Sequence, residues 1–475
     1  FRDKDDKIKI KLNWSKRYIT LGAVSTVIGL AFQLKDPNKI LGNKDNIGIT
    51  CALISHTKNG VILGRRHDPL STPFINSPID GKNVIIDLEE DIIGGINGVG
   101  KGWKMLMECL AAGRGISLPS TSCGGAKLIT RVVTAHANIR HQFRLPIGKF
   151  EGVSEVIAKI TAKTFTIDAL REFTAGAVDL GLKPSVITAI AKYHSTEMFR
   201  EVMNHGMDIL GGNAIIRGKR NLLANAYFSV PISITVEGAN IITRSLIHFG
   251  QGSIMCHPFA FDEMTALAEN NSKKFDKIFF AHLGHMGRNK IRFLLLSLTR
   301  GRLHNPKTKN KLIFKFERKL AWVSSSFAYL ADVVMLLHGG NLKRKESLNG
   351  RFGDILSNMY LASCVLRKFE NDGSRKDSTL LVESIMADLL YKIQNSFDEI
   401  YQNITNNKIL KILLFPVRFY SRLNPISSPP NDNMSHKLTT SILQDASFRD
   451  YLTNGIHIPK NKNEALGRLE HALLL

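Results

Sequence analysis

Polar and apolar residues alternate along Lys7-Ile-Lys-Ile-Lys-Leu-Asn13, the two-residue period of a strand with one buried face. Tyr18–Thr20, Val24–Leu34, Ile47–Ser55 and Val84–Leu88 are further strand candidates, set apart by Gly, Pro, Asn and Asp. From residue 99 the period lengthens. Trp103, Leu106, Met107 and Leu110 fall at i, i+3, i+4 and i+7, as do Val153, Val156, Ile157 and Ile160. A third helix is expected to open at Pro184, a favoured first-turn residue, with Ile187, Ile190 and Ala191 on one face. Ile241, Ile242 and Leu246 give a fourth helical pattern after Gly238, enough for an antiparallel four-helix bundle. Beyond 259 helical segments alternate with polar breaks, which predicts four or five more helices. The stretch from Asn424 to His436, with Pro425, Pro429 and Pro430, reads as a loop. The expected fold class is α+β: a partial β-domain over 1–96, a helical bundle over 97–258 and an added helical domain over 259–475.

Two stretches interrupt this reading. Gly95-Ile-Asn-Gly-Val-Gly100-Lys101 has phosphate-loop spacing, but Gly102 follows where a magnesium-binding hydroxyl is needed. No strand–helix alternation comes after it, so it reads as a junction into the first helix. Pro231-Ile-Ser-Ile-Thr-Val236 is rich in β-branched residues and reads as extended. It places Glu237 at a bend, between an apolar run that raises a carboxyl pKa and a helix start that lowers it. A base working near neutral pH needs such a balance, although an acid near a helix N-terminus is also common without any catalytic role.

Composition narrows the classes. The chain of 475 residues has room for two or three domains, and 44% hydrophobic residues is ordinary for a folded protein. Cys51, Cys109, Cys123, Cys256 and Cys364 are far apart and form no CxxC pair, which predicts buried thiols in a reducing compartment and argues against zinc. His282 and His285 stand at i, i+3 with no third ligand nearby in sequence, so surface histidines are expected and no metal. Phe1-Arg-Asp-Lys-Asp-Asp-Lys7 is too charged for a signal peptide. The longest apolar stretch, Leu21 to Leu34, is broken by Ser25, Thr26 and Gln33 and reads as strand rather than a membrane span. The net charge is +23, and residues 271–320 hold fourteen Lys/Arg against two Asp/Glu. That stretch and the amphipathic Lys408-Ile-Leu-Lys411-Ile-Leu-Leu-Phe415-Pro-Val-Arg418-Phe-Tyr420 suit an anionic membrane surface, or a solvated basic face.

Val236-Glu237-Gly238-Ala239-Asn240, with Arg244, resembles the catalytic segment of acyl-CoA dehydrogenases, bacterial long-chain type. Three further motifs support the resemblance. Lys16-Arg-Tyr18-Ile-Thr20 is similar to the family's flavin-contacting strand. Ile139-Arg140-His-Gln142-Phe143 through Phe150 is similar to the segment that reaches a partner subunit's FAD pyrophosphate, a task suited to a guanidinium fork. Met207-Asp208-Ile-Leu-Gly211-Gly212-Asn213 is similar to the family's Gly-Gly cofactor loop, where paired glycines admit a ligand to the backbone. Ala112-Gly-Arg114-Gly lies where the family has an Arg near the acyl-CoA entrance. Departures are Tyr18 for Trp, Arg144 for Gly, Asp208 for Gln, Ala214 for Gly and Ala239 for Thr.

The resemblance implies a flavoenzyme that converts a medium- or long-chain fatty acyl-CoA to the trans-2-enoyl-CoA in bacterial β-oxidation. Glu237 is then the base; Tyr18, Thr20, Arg140, Gln142, Phe143, Asp208, Gly211 and Gly212 contact FAD; Arg114, Gly238 and Arg244 meet substrate. The implied partners are electron-transfer flavoprotein and a second copy of the chain, in the cytoplasm or peripheral on the inner membrane, with no nucleic acid. An acyl-CoA oxidase and a non-catalytic scaffold on a decayed fold are the rival readings. The family's Gly-Ser loop and leading helical domain are not found ahead of Tyr18, so the chain is expected to be part of a longer one.

Overall fold

The computed structural model describes residues 1–245 and 257–475, apart from the side chains at 107, 110–112, 410, 413 and 414. Leu246 and Cys256, and the side chains of Met107 and Leu110, therefore lie outside the described residues. The chain divides into two compact units, Phe1–Ala112 and Gly113–Leu475.

The first unit is a two-layer β structure. β1 (Lys9–Thr20), β4 (Val61–Leu63) and β5 (Asn76–Asp87) form one antiparallel sheet in the order β1-β5-β4. β2 (Val27–Lys35) pairs with β3 (Asn46–Ser55). The alternation near Lys9 does what its period requires: Ile10 pairs with Ile86 and Leu12 with Val84, all buried. Ile28, Leu30 and Ile54 complete this core from the other pair of strands. Tyr18–Thr20 is the end of β1 rather than a strand of its own. Val24, expected in a strand, lies in a 3₁₀ turn (Gly22–Val24), because Leu21 takes a left-handed φ of 60° and its carbonyl accepts from Val24 N–H at 3.0 Å. Gly95–Gly98 is a 3₁₀ turn leading into the first long helix, a junction as its residues suggested.

The long helix α1 (Gly102–Ile139) carries the boundary between the units. In the second unit, α2 (Glu151–Asp179), α3 (Ser185–Leu210) and α4 (Ala224–Ser233) follow. β6 (His141–Gln142) and β7 (Leu145–Pro146) make a hairpin between α1 and α2, turning at Phe143 and Arg144 with φ of 48° and 66°. Residues 259–475 hold more helices than expected. Four are long: α6 (Ser272–Leu298), α7 (Lys311–His338), α8 (Glu346–Asn371) and α9 (Thr379–Asn403). Shorter ones are α5 (Ala260–Ala268), α10 (Lys408–Leu423), α11 (Asp432–Gln444), α12 (Ala446–Leu452) and α13 (Ala465–Leu474). The loop expected to reach His436 ends at Asn431, whose side chain accepts from Met434 N–H and caps α11.

One apolar core runs from Cys123 on α1 through α2, α3 and α7–α9 to Leu466 on α13. Buried ion pairs cross it. Lys368 on α8 reaches Asp168 and Glu172 on α2, and Arg131 on α1 meets Glu470 on α13 at 2.7 Å. Among the described residues one helical stretch, Lys311–Arg344, is long and apolar enough to cross a membrane by length and composition. Its apolarity has a packing reason, since Phe316, Trp322, Val323, Leu330 and Val334 are core residues.

Candidate functional site

Residues 231–236 are not extended. The Ala-rich start of α4 carries the helix through Pro231 to Ser233. Turns then follow, closed by Val236 N–H and Thr235 N–H on the Ile232 carbonyl, both at 3.1 Å. The Ser233 and Thr235 hydroxyls also bond back to the carbonyls of Val230 and Ile232. Local hydrogen bonds thus outweigh the β-propensity of the branched residues, which is a preference for a pleated surface that this segment lacks.

Glu237 ends these turns with φ 53°, and Gly238 follows with φ 96°. A left-handed conformation costs a non-glycine residue about 1–2 kcal/mol, so the surroundings must hold it. Asn240 N–H closes the turn onto the Ile234 carbonyl at 3.0 Å, and one turn of helix, Asn240–Ile242, follows. Ile241 and Ile242 are exposed, so the apolar face expected here is not buried by this chain.

Around the turn stand two buried cations. Arg114 comes from α1, where small residues admit α3 closely: a Cβ at Gly115 would lie 2.6 Å from Thr188 Cγ2, and one at Gly125 2.4 Å from Phe199. Arg114 is buried, not on a helix surface, and its Nε has no hydrogen-bond partner among the described residues. Burial lowers its pKa, while the Glu237 carboxylate pulls it back up. A Cβ at Gly113 would stand 3.7 Å from Glu237 Oε1, and one at Gly238 3.7 Å from Arg114 Nη2. Glu237 Oε2 is itself buried with no hydrogen-bond partner among the described residues. The second cation, Lys192 on α3, escaped the sequence reading. It is fully buried, and its Nζ donates to the Gly238 carbonyl at 2.8 Å and to Asn240 Oδ1 at 2.6 Å. Burial first, and Arg114 second, push its pKa down to about 8, against the pull of Glu237 and Glu197. The signal was present: Thr188, Lys192, Ser195, Thr196 and Phe199 share one helical face, and all are buried.

The other expected site residues fall in separate places. Arg244, expected at the substrate, forms a two-pronged pair with Asp354 on α8, at 2.8 and 2.5 Å. That pair is half-buried, and burial holds the Asp354 carboxyl above its usual range despite the guanidinium. Arg140, Gln142 and Phe143 lie on the exposed hairpin, with Phe143 82% exposed. Gly211 closes α3 with φ 55°, and Asp208 before it is exposed. Asn213 beside this loop lines a cleft of about 620 Å³ that also takes Arg217, Lys219, Arg220 and Arg468. Tyr18 and Thr20 are exposed on β1, where Tyr18 packs against the His67 ring with centroids 5.6 Å apart.

The histidines of α6 are not simple surface groups. His282, His257 and Asp332 bring their ligand atoms within 4.8 Å of one another. His257 Nδ1 accepts the backbone N–H groups of Phe259 and Ala260, so its Nε2 carries the proton and donates to Asp332 at 3.0 Å. Sequence spacing alone could not find Asp332, which comes from α7. Cys109, expected buried, is exposed.

The model of the family described as acyl-CoA dehydrogenase, C-terminal domain, matches residues 100–250, and that described as acyl-CoA dehydrogenase, C-terminal, bacterial type, matches residues 254–475. The probable acyl-CoA dehydrogenase FadE10 of Mycobacterium tuberculosis is 26% identical over 253 residues, 51% of this chain and 37% of its own length. The 3-(aryl)acrylate reductase of Clostridium sporogenes is 27% identical over 239 residues, 50% of this chain and 59% of its own. Protein HemX of Proteus mirabilis is 52% identical over 97 residues, 20% of this chain and 56% of its own. The chain thus spans less than two thirds of each of these relatives. The structure of an acyl-CoA dehydrogenase complexed with FAD from Bacillus anthracis superposes with a TM-score of 0.68 at 17% identity, covering 93% of this chain and 72% of that one, so the two share a fold.

Proposed function

Because the chain belongs to the acyl-CoA dehydrogenase family, we propose that it carries the base and part of the cofactor site of a flavin-dependent enzyme that desaturates an acyl-CoA thioester between Cα and Cβ. The observation that carries this reading is Glu237. Its Oε2 is buried with no hydrogen-bond partner among the described residues, on a turn held in a left-handed conformation beside a buried arginine. A carboxylate oxygen with no donor among the described residues keeps its lone pairs for a substrate proton.

The residues present fit FAD. Leu210 and Asn213, on either side of the Gly211-Gly212 pair, line a cleft with four cationic side chains, which suits a pyrophosphate. Arg140, Gln142 and the exposed Phe143 project on a hairpin suited to reach such a group on a second copy of the chain. Tyr18 and Thr20, exposed on β1 of the first unit, are a ring and a hydroxyl of the kind that suits a flat, polar-edged ring. FAD, when bound, supplies the acceptor for the β-hydride. Glu237 takes the α-proton on Oε2 or Oε1. Arg114, buried beside the carboxylate, helps keep water from it.

The finer reading is a medium- or long-chain fatty acyl-CoA as substrate, electron-transfer flavoprotein as electron acceptor, and a homodimer as the working state in the bacterial cytoplasm. A peripheral hold on the inner membrane would come from α10, where Ile409, Ile412, Phe415, Phe419 and Leu423 are exposed among Lys408, Lys411 and Arg422. The test is Glu237→Gln in FAD-loaded protein, mixed anaerobically with palmitoyl-CoA while flavin absorbance is followed. The variant should keep its flavin and bleach about 10²–10⁴ times more slowly. Bleaching at the wild-type rate removes Glu237 as the base, and peroxide produced in air identifies an oxidase.

A further inference from the structure

Lys192 is an expensive residue to bury, because an ammonium loses its hydration and an apolar side chain of similar length would fill the same space. It is nevertheless among the largest fully buried side chains of the described residues, beside Phe352 and Phe448. Among the described residues, both hydrogen bonds of its Nζ lead to the turn of Glu237: one to the Gly238 carbonyl, one to Asn240 Oδ1. Asn240 is oriented in turn, since its Nδ2 donates to Thr196 Oγ1 at 3.0 Å and Glu197 Oε1 at 2.8 Å. Thr196 Oγ1 donates onward to the Lys192 carbonyl at 2.8 Å. The Gly238 carbonyl also accepts from Thr243 Oγ1 at 3.3 Å. Hence Gly238, the residue after Glu237, and Asn240, two residues further on, are both fastened to α3, with Ala239 between them. These bonds hold the turn in which Glu237 takes its left-handed conformation.

We propose that Lys192 is a positioning residue, whose ammonium fixes the Glu237–Asn240 turn to α3 and so aims the carboxylate. This rests on the reading of Glu237 as a base, but the fastening itself is independent of that chemistry. The charged groups around Lys192 are Arg114 on α1, Glu197 on α3 and Glu237 on the turn. A deprotonated amine retains two N–H donors, enough for both acceptors, so the fastening persists above the pH at which its charge is lost.

The experiment measures hydrogen exchange in peptides spanning residues 234–245 of the full chain, for wild type and Lys192→Met. Met fills the space without donating. Losing two hydrogen bonds should speed exchange at the Asn240 and Thr243 amides about tenfold or more, with the middle of α3 unchanged. Unchanged exchange at those two amides means that the lysine merely fills the core, and overturns the proposal. Should Lys192→Met not fold, Asn240→Leu removes the same acceptor and is read at the same amides with the same two outcomes. In FAD-loaded protein, Lys192→Met should lower the bleaching rate at saturating acyl-CoA with little change in KM, and Lys192→Arg should not restore it, because the site is closed on all sides. If the wild type itself does not bleach, the functional reading fails while the exchange result still decides the role of Lys192.

Discussion

Asp168 offers the most quantitative test of how the bundle is held to the helices that follow it. It lies on α2, buried, 3.0 Å from Lys127 on α1 and 3.5 Å from Lys368 on α8, with Arg171 at 2.8 Å. Burial alone would raise its pKa, but Lys127 and Lys368 overcome this and hold the carboxyl well below its usual range. Asp168→Asn keeps the shape and removes the charge. Breaking a buried pair from one side typically costs about 3–5 kcal/mol, because the other charge stays buried. Here both lysines retain a second partner, Lys127 the Asn454 carbonyl and Lys368 the carboxylates of Glu172 and Asp372. The lower end, about 3 kcal/mol, is therefore expected. Urea unfolding followed by tryptophan fluorescence measures it, and Asp168→Asn/Lys368→Met should recover part of the loss. A loss under about 1 kcal/mol, or no recovery in the double variant, would refute the view that this cluster links α2 to α8. The pH sign follows from the same shift. A carboxylate with a lowered folded pKa stabilises fully above its unfolded value of 3.8, and the contribution is lost as pH falls through the folded value. Glu470 behaves alike: burial raises it, but Arg449 and Arg131 lower it further, so the hold of α13 weakens on acidification below 4.5.

Two further outcomes are expected. Burial pushes the thiols of Cys123 and Cys364 up to about 12, whereas Cys109 is exposed, so at pH 8 a thiol reagent should label Cys109 well before either of the others in folded protein; mass spectrometry of the labelled peptides reads the order. The full chain should co-sediment with anionic vesicles at low salt, weaken steeply as salt rises, and lose most binding on Ile412→Asp/Phe415→Asp; retention unchanged by salt or by these variants would count against α10 as the contact.

Much of this molecule was legible in its residues because the signals are local. The alternation from Lys7 to Asn13 requires no partner to be recognised, and β1 buries Ile10 and Leu12 as its period demands. The faces of α2 and α3, through Ile157, Ile160, Ile190 and Ala191, follow from a 3.6-residue period in the same way. The turns at Gly211 and Gly238 were legible too, since positive φ at a glycine is a property of one residue. Other features are decided between elements. Whether residues 231–236 extend or coil depends on whether a neighbouring strand exists to pair with them, and none of the described strands does. Arg114 and Lys192 look like surface cations in sequence; they are buried because the glycines of α1 let α3 approach and because a turn from residue 238 supplies the acceptors. Asp332 reaches His257 from 75 residues away, and Arg244 finds Asp354 at a separation of 110. A carboxylate and its counter-charge leave no mark on each other's sequence neighbourhood, because Coulomb attraction acts across space and the fold alone sets that distance.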